Sequence, residues 1–238
     1  GLKVAIIAYF RDPVESIISN YNQVVKRHFA TISLHAYVEK QLRLKIPGVS
    51  GAIYEEWQAL FRKENVVVLP YEFSSFPDGI IQKSFLTVLG IDQADKIFKF
   101  KTGNVNRSYT TSALELKRLI NMVTDHDKTK INNRIDWCLQ HYSDHADIKP
   151  RSVKNLLGEE LYPALLDKFA QSNDRMKKEI LRLSSNKFLN YSGLNDTHEH
   201  VSDTGLGTLQ QVLIKAFSDD PDIIDYLCSK VEDQLSSS

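Results

Sequence analysis

The chain has 238 residues, 42% hydrophobic and 25% charged, with ten glycines and seven prolines. This composition excludes a collagen-like, linker-dominated or disordered chain, and the length suits one large domain or a medium domain with an appendage. The 30 basic and 30 acidic residues cancel overall but not locally: residues 186–238 hold three lysines against nine acids, a net of −6, leaving +6 on residues 1–185.

A basic body suits an anionic small ligand better than nucleic acid, which calls for a strong basic stripe or a recognisable reading motif. The longest apolar run, Val4 to Phe10, falls far short of the ~18–20 residues that cross a bilayer, so no membrane segment is expected. Cys138 and Cys228 could form at most one bridge, which suits reduced thiols and a cytoplasmic location.

In chain order, Lys3–Phe10 reads as a strand buried on both faces of a parallel sheet. Arg11-Asp12-Pro13 stops it, with Asp12 placed to cap a helix and Pro13 at the first helical position, where its missing N–H costs nothing. The helix runs to about Phe29, with Val14, Ile17, Ile18, Tyr21, Val24 and Val25 on its apolar side and Glu15, Asn22 and Lys26 toward water.

A second helix is expected over 33–46, followed by a break at Pro47–Gly51. A third, over about 53–62, turns Ile53, Trp57, Leu60 and Phe61 to one face. Asn65–Leu69 is a second buried strand, closed by Pro70. Strand, long helical crossover, strand is the pattern of a parallel α/β sheet. Another helix spans Asp78–Leu89, residues 96–111 form a loop, and helical periodicity resumes at Ala113 and runs with breaks to Leu183. A polar link at 184–204 leads to two short helices at about 207–217 and 221–235. The link and the charge reversal place a boundary near residue 186, giving a body over 1–185 and an acidic helical appendage over 186–238.

A cation at the carboxyl end of a parallel strand, immediately before a helix N-terminus, sits where open α/β sheets bind ligands, so Arg11 and the first N–H groups of the helix are expected to point at one anion, the other reading being Arg11 as a surface cation and Ser19 as a helix hydroxyl. Residues 4–21, Val-Ala-Ile-Ile-Ala-Tyr-Phe-Arg-Asp-Pro-Val-Glu-Ser-Ile-Ile-Ser-Asn-Tyr, resemble the 3′-phosphate-binding segment of sulfotransferases that use 3′-phosphoadenosine 5′-phosphosulfate (PAPS). In that family a strand leads into Arg-[Asn/Asp]-Pro with a Ser eight residues after the Arg. The resemblance implies that Arg11 and Ser19 contact the 3′-phosphate. The pairing is chemically sound, since a guanidinium offers a planar fork to phosphate oxygens and a hydroxyl adds a donor.

Downstream, Tyr54-x2-Trp57-x3-Phe61 followed by Asn65–Glu72 resembles the family's helix, strand and Tyr-Glu turn, and Ile80–Asp92 resembles the helix after it. Asn104–Ser108 and Phe169–Arg175 resemble later elements of bacterial-type carbohydrate sulfotransferases. The resemblance implies that Tyr71 lies near the nucleotide, its other reading being an aromatic that caps the core. Arg107 either closes over phosphate as a basic loop does in relatives or is a solvated loop cation.

What the resemblance implies is an α/β domain with a parallel sheet of P-loop nucleoside-kinase-like sulfotransferase type, helix-rich in its C-terminal half. The activity implied is transfer of a sulfuryl group from PAPS to a hydroxyl or amine acceptor, with carbohydrate the expected acceptor class. Family members also carry an upstream strand, a loop cradling the 5′-phosphosulfate and a catalytic His or Glu. No Gly-x4-Gly-Lys-[Ser/Thr] pattern occurs here, so the domain is expected to be N-terminally incomplete and no catalytic residue is assigned. The alternative from another class is a non-catalytic, sulfotransferase-derived module that binds a protein or glycan. A nucleotide-kinase-like phosphotransferase is disfavoured by the missing loop.

His141 and His145 have a helical spacing compatible with metal, but no third ligand is assigned and no metal is expected. Gly205-Leu-Gly207 lacks the third glycine and preceding strand of a dinucleotide loop, and Cys138 beside Trp137 is read as packing.

Overall fold

The computed structural model describes residues 4–91, 98–100, 108–124, 130–147, 152–181, 189 and 205–236. These are helix-rich, with one small sheet of two parallel strands. Strand β1 (Ile6–Phe10) pairs with β2 (Val66–Pro70) in register Ile6 to Val66 through Phe10 to Pro70. Between them the chain passes through α1 (Pro13–Arg27), α2 (Leu34–Arg43) and α3 (Ala52–Phe61). The parallel pairing expected from two apolar runs joined by a helical crossover is present. Full burial of both is not: Phe10, Val66 and Val68 are buried, whereas Val67 is 36% exposed, because the pleat turns alternate side chains to opposite faces and the described residues pack well against one of them.

After β2 come two 3₁₀ turns, Phe73–Ser75 and Pro77–Gly79, and α4 (Ile81–Val88). The rest is helical: α5 (Thr111–Val123), α6 (Lys130–His145), α7 (Val153–Arg175) running into a π-helical turn (Met176–Ile180), α8 (Leu206–Phe217) and α9 (Pro221–Ser236). Gly158 interrupts α7 at φ +71°, a conformation that favours glycine.

The chain forms two compact units, each discontinuous in sequence. The first comprises residues 1–17, 41–105 and 162–195; the second comprises 18–40, 106–161 and 196–238. In the first unit Phe10, Val66, Val68, Met176 and Leu189 form the core, with Ile6, Tyr54 and Leu181 against it. Gly51 lies so close to the π-helical turn that a Cβ there would stand 2.2 Å from Met176 Cγ. Arg175 pairs with Glu55 at 3.1 Å, and Lys168 Nζ donates to the Leu44 carbonyl at 2.7 Å.

In the second unit one core unites α5, α6, α8 and α9: Ala113, Leu116 and Ile120 meet Ile135 and Leu139, Leu209, Val212 and Phe217, and Ile223 and Leu227. Arg134 pairs with Asp220 and, at 3.2 Å, with Asp222. The helices at 206–217 and 221–236 therefore share their core with 111–145.

Two expected faces differ. Asn22 and Lys26 are buried, at 4% and 5% exposure. Lys26 lays its ammonium 4.3 Å from the Tyr109 ring centroid and donates to Gln140 Oε1 at 2.6 Å, so a long polar side chain is accommodated inside. On α3, Trp57, Leu60 and Phe61 are exposed, and Tyr54 turns inward instead, donating its hydroxyl to the Tyr9 carbonyl at 3.1 Å and meeting Phe10 edge-on at 5.7 Å.

Candidate functional site at the strand ends

The candidate site lies in the first unit, where both parallel strands end. Asp12 leaves the strand and caps α1: its Oδ1 accepts from Glu15 N–H at 2.9 Å, and its carbonyl from Ser16 N–H at 2.9 Å. Pro13 opens the helix. Asp12 is thus engaged in capping, and the residue beside it, Arg11, is the cation set at the carboxyl end of β1.

On β2, the chain continues the ladder past Pro70, with Tyr71 N–H donating to the Phe10 carbonyl at 2.7 Å. This bond brings the Tyr71 ring beneath the Arg11 guanidinium, which lies 5.8 Å from its centroid. The stacking is a cation–π contact, the arrangement a guanidinium prefers on an aromatic face. Tyr71 is itself held edge-on by Tyr9 at 6.4 Å and Phe76 at 5.6 Å, and Tyr9 meets Phe76 at 6.0 Å. The three rings form a mutually edge-to-face cluster, which orients the platform before any ligand arrives.

Arg11 pairs with Glu15 at 3.5 Å across one helical turn, with the Arg11 side chain 38% exposed. Exposed pairs of this kind are worth little, ~0–1 kcal/mol, so an incoming phosphate dianion can displace Glu15 from the guanidinium. Asp12 also acts on Tyr162: burial first, and then the Asp12 charge, push that phenol above its ordinary value.

Beside the ring cluster opens an apolar cavity of about 450 Å³, lined by Tyr9, Ile81, Phe85, Leu86, Phe98 and Phe100. Tyr9 connects it to the Arg11–Tyr71 pair: its ring is shared by both, and its hydroxyl donates to Ser84 Oγ at 3.2 Å, tying β1 to α4. A cation with an aromatic platform on one side and an apolar, aromatic-walled cavity on the other suits a ligand with an anionic group and a flat hydrophobic ring.

Of the residues singled out from sequence, Arg11 and Tyr71 come together. Ser19 is placed on α1 two turns beyond the cap, in the part of that helix assigned to the second unit. Arg107 lies outside the described residues. In the segment 169–175, Phe169 and Asn173 are buried, and Arg175 holds Glu55. Sequence reading did not single out Tyr9 or Phe85; only the alternation of β1, which sends Phe10 into the core and Tyr9 to the other face, marks Tyr9 as a wall of the cavity.

Among the described residues no group of three or more His, Cys, Asp or Glu side chains is placed to hold a metal, and no helix is long and apolar enough to cross a membrane. Compared with protein-family models, curated proteins and solved structures, the chain matches none.

Proposed function

We propose that this chain binds the 3′-phosphate end of PAPS and serves a sulfotransferase of P-loop nucleoside-kinase-like architecture, with a carbohydrate hydroxyl or amine as acceptor. The observation that supports the reading is the meeting of Arg11 and Tyr71 at the carboxyl ends of two parallel strands, joined by a helical crossover and followed by a capped helix N-terminus. Arg11 holds the phosphate as a charged fork, and Ser19, eight residues on, is the neutral second donor in this reading. Tyr71 and the apolar cavity take the flat nucleoside base. When bound, PAPS supplies the sulfuryl group. The residues named here bind and orient it and take no part in bond change, so no catalytic residue is assigned. The thiols, one buried and one exposed, suit a reducing compartment such as the cytoplasm.

The reading is tested by equilibrium binding of adenosine 3′,5′-bisphosphate to the chain and its variants. A charge-assisted, partly buried contact is worth ~1.5–3 kcal/mol, so Arg11→Ala weakens binding by roughly 10- to 150-fold. Ser19→Ala costs less, about 1 kcal/mol, as befits a neutral donor. Binding indifferent to both substitutions removes the reading.

One observation favours a second reading, a non-catalytic module that binds a protein or glycan. No residue of helix α3 is fully buried, and the helix turns Trp57, Leu60 and Phe61 outward, with Leu60 75% exposed. Large exposed apolar side chains gathered on one helix are a feature of interaction surfaces. Tight binding of such a partner by a chain that ignores the bisphosphate would decide for it.

A further inference from the structure

Helix α6 ends on two histidines, His141 and His145, whose ring centroids are 4.2 Å apart and whose planes are tilted by 33°. Both are exposed. We propose that these two imidazoles form a bidentate, water-completed site for a divalent transition-metal ion of the copper, nickel and zinc class.

The first support is the tautomer. His145 Nδ1 lies 2.8 Å from the carbonyl oxygen of His141. A carbonyl can only accept, so Nδ1 carries the proton and donates it, leaving the Nε2 lone pair of His145 outward and available. Metal-ligating histidines characteristically give their other ring N–H to a carbonyl or carboxylate in this way, which fixes the ring and strengthens the ligand nitrogen.

The second support is geometry. Residues four apart on a helix stand on one face, with Cβ atoms about 5–6 Å apart. Two imidazole nitrogens bound tetrahedrally at about 2.0–2.1 Å stand roughly 3.3 Å from each other, a separation that rings already 4.2 Å apart at their centroids reach by small side-chain rotations. The third is charge: α6 ends at His145, and the carboxyl end of a helix favours a cation.

With two protein ligands, the remaining positions fall to water, so the site is open and exchangeable, unlike the closed four-ligand sites that hold structural zinc. Imidazole nitrogen suits copper, nickel and zinc, with Cu2+ bound most tightly of the three.

A reporter stands one turn back. Trp137, 67% exposed, stacks on His141 with centroids 5.4 Å apart and planes 23° from parallel. It holds the His141 ring and brings an indole close enough for a bound paramagnetic Cu2+ to quench.

The test titrates CuCl2 into the chain near pH 7.5 in a Trp57→Phe background, where Trp137 is the remaining tryptophan of the two. The expected result is a saturable one-to-one quench that ZnCl2 reverses by competition. His141→Ala and His145→Ala should each weaken it about 100-fold, because losing either ring removes the chelate. Calorimetry with NiCl2 on the unsubstituted chain gives the same answer should Trp57→Phe fail to fold. Quenching or heat that survives either substitution unchanged, or that only one of the two reduces, overturns the bidentate site.

Discussion

The two units place their charged and polar groups in opposite ways. In the sheet-bearing unit the buried polar side chains among the described residues are uncharged, Ser50, Ser172 and Asn173, and the groups with chemical potential, Arg11, Glu15 and Tyr71, stand half-open to solvent at the strand ends. In the helical unit polar groups are driven inside. Lys117 is fully buried, its ammonium 2.9 Å from Asp136 Oδ1 and 5.5 Å from the Phe29 ring centroid; Asp136 also accepts from the Tyr109 hydroxyl and lies 3.9 Å from Arg27. Asn121, also buried, donates to the Val25 carbonyl at 2.9 Å. Buried networks of this kind are costly unless satisfied, and when satisfied they fix one arrangement of helices among many that apolar contacts alone would allow. The contrast separates two placements of charge: inside a helical core, and at a strand end open to solvent.

The largest expected effects fall in the helical unit. Phe217→Ala empties a position that is 1% exposed and joins α8 to α5 and α6, so urea unfolding of that unit should lose about 3–5 kcal/mol. An unchanged midpoint would mean that the two C-terminal helices are an appendage after all.

Asp136→Ala leaves the Lys117 ammonium buried without its carboxylate, a loss of about 3 kcal/mol, at the low end for buried pairs because the Asp136 side chain is 16% exposed. Adding Lys117→Met to Asp136→Ala should recover part of that loss, since the stranded charge is then gone. A double variant as unstable as the sum of the singles would show that the pair does not couple.

In the sheet-bearing unit the comparable change is Gly51→Ala. A Cβ 2.2 Å from Met176 Cγ forces the π-helical turn to shift, so about 1–3 kcal/mol is expected by thermal unfolding. Met176→Ala in the same chain should relieve the clash, and a Gly51→Ala chain as stable as the parent would mean the turn moves freely.

The smallest effect is a pH dependence confined to alkaline solution. Burial, reinforced by Glu115, pushes Tyr21 up to about 12, and burial beside Asp136 pushes Tyr109 higher still. An unfolded tyrosine titrates near 10, so the folded state keeps a proton that the unfolded state loses. The stabilisation is fully present below about pH 10 and is lost as pH rises through about 12. Lys26, lowered chiefly by burial, acts in the opposite sense as alkali removes its charge. Stability curves of the parent and Tyr21→Phe should diverge only above pH 10; curves that stay parallel there would contradict the assignment.

Much of this was legible in the sequence because the signals were local. A continuous β-branched run followed by Asp-Pro marks where β1 stops and α1 starts, and the apolar Val66–Leu69 marks β2. What stayed hidden depends on partners distant in the chain. Apolar periodicity assigns Asn22 and Lys26 to water because it weighs polarity alone, whereas Gln140 and the Tyr109 ring, more than 80 residues away, take Lys26 inside. The polar link and the charge reversal over 186–238 suggested an acidic helical appendage, yet Arg134 pairs with Asp220 and Asp222 within the helical unit. Arg11 was readable from its motif, whereas its platform was not, because the edge-on rings of Tyr9, Tyr71 and Phe76 assemble only once β1 and β2 pair.

The central claim is that Arg11 at the end of β1 reads a 3′-phosphate. Calorimetry with adenosine 3′,5′-bisphosphate and with adenosine 5′-phosphate, on the parent chain and on Arg11→Ala, tests it most directly. The parent should prefer the bisphosphate by roughly 10-fold or more, the worth of one charge-assisted contact of about 1.5 kcal/mol, and Arg11→Ala should bind the two nucleotides alike. Equal affinity of the parent for both nucleotides, or a preference that survives in Arg11→Ala, would contradict the account.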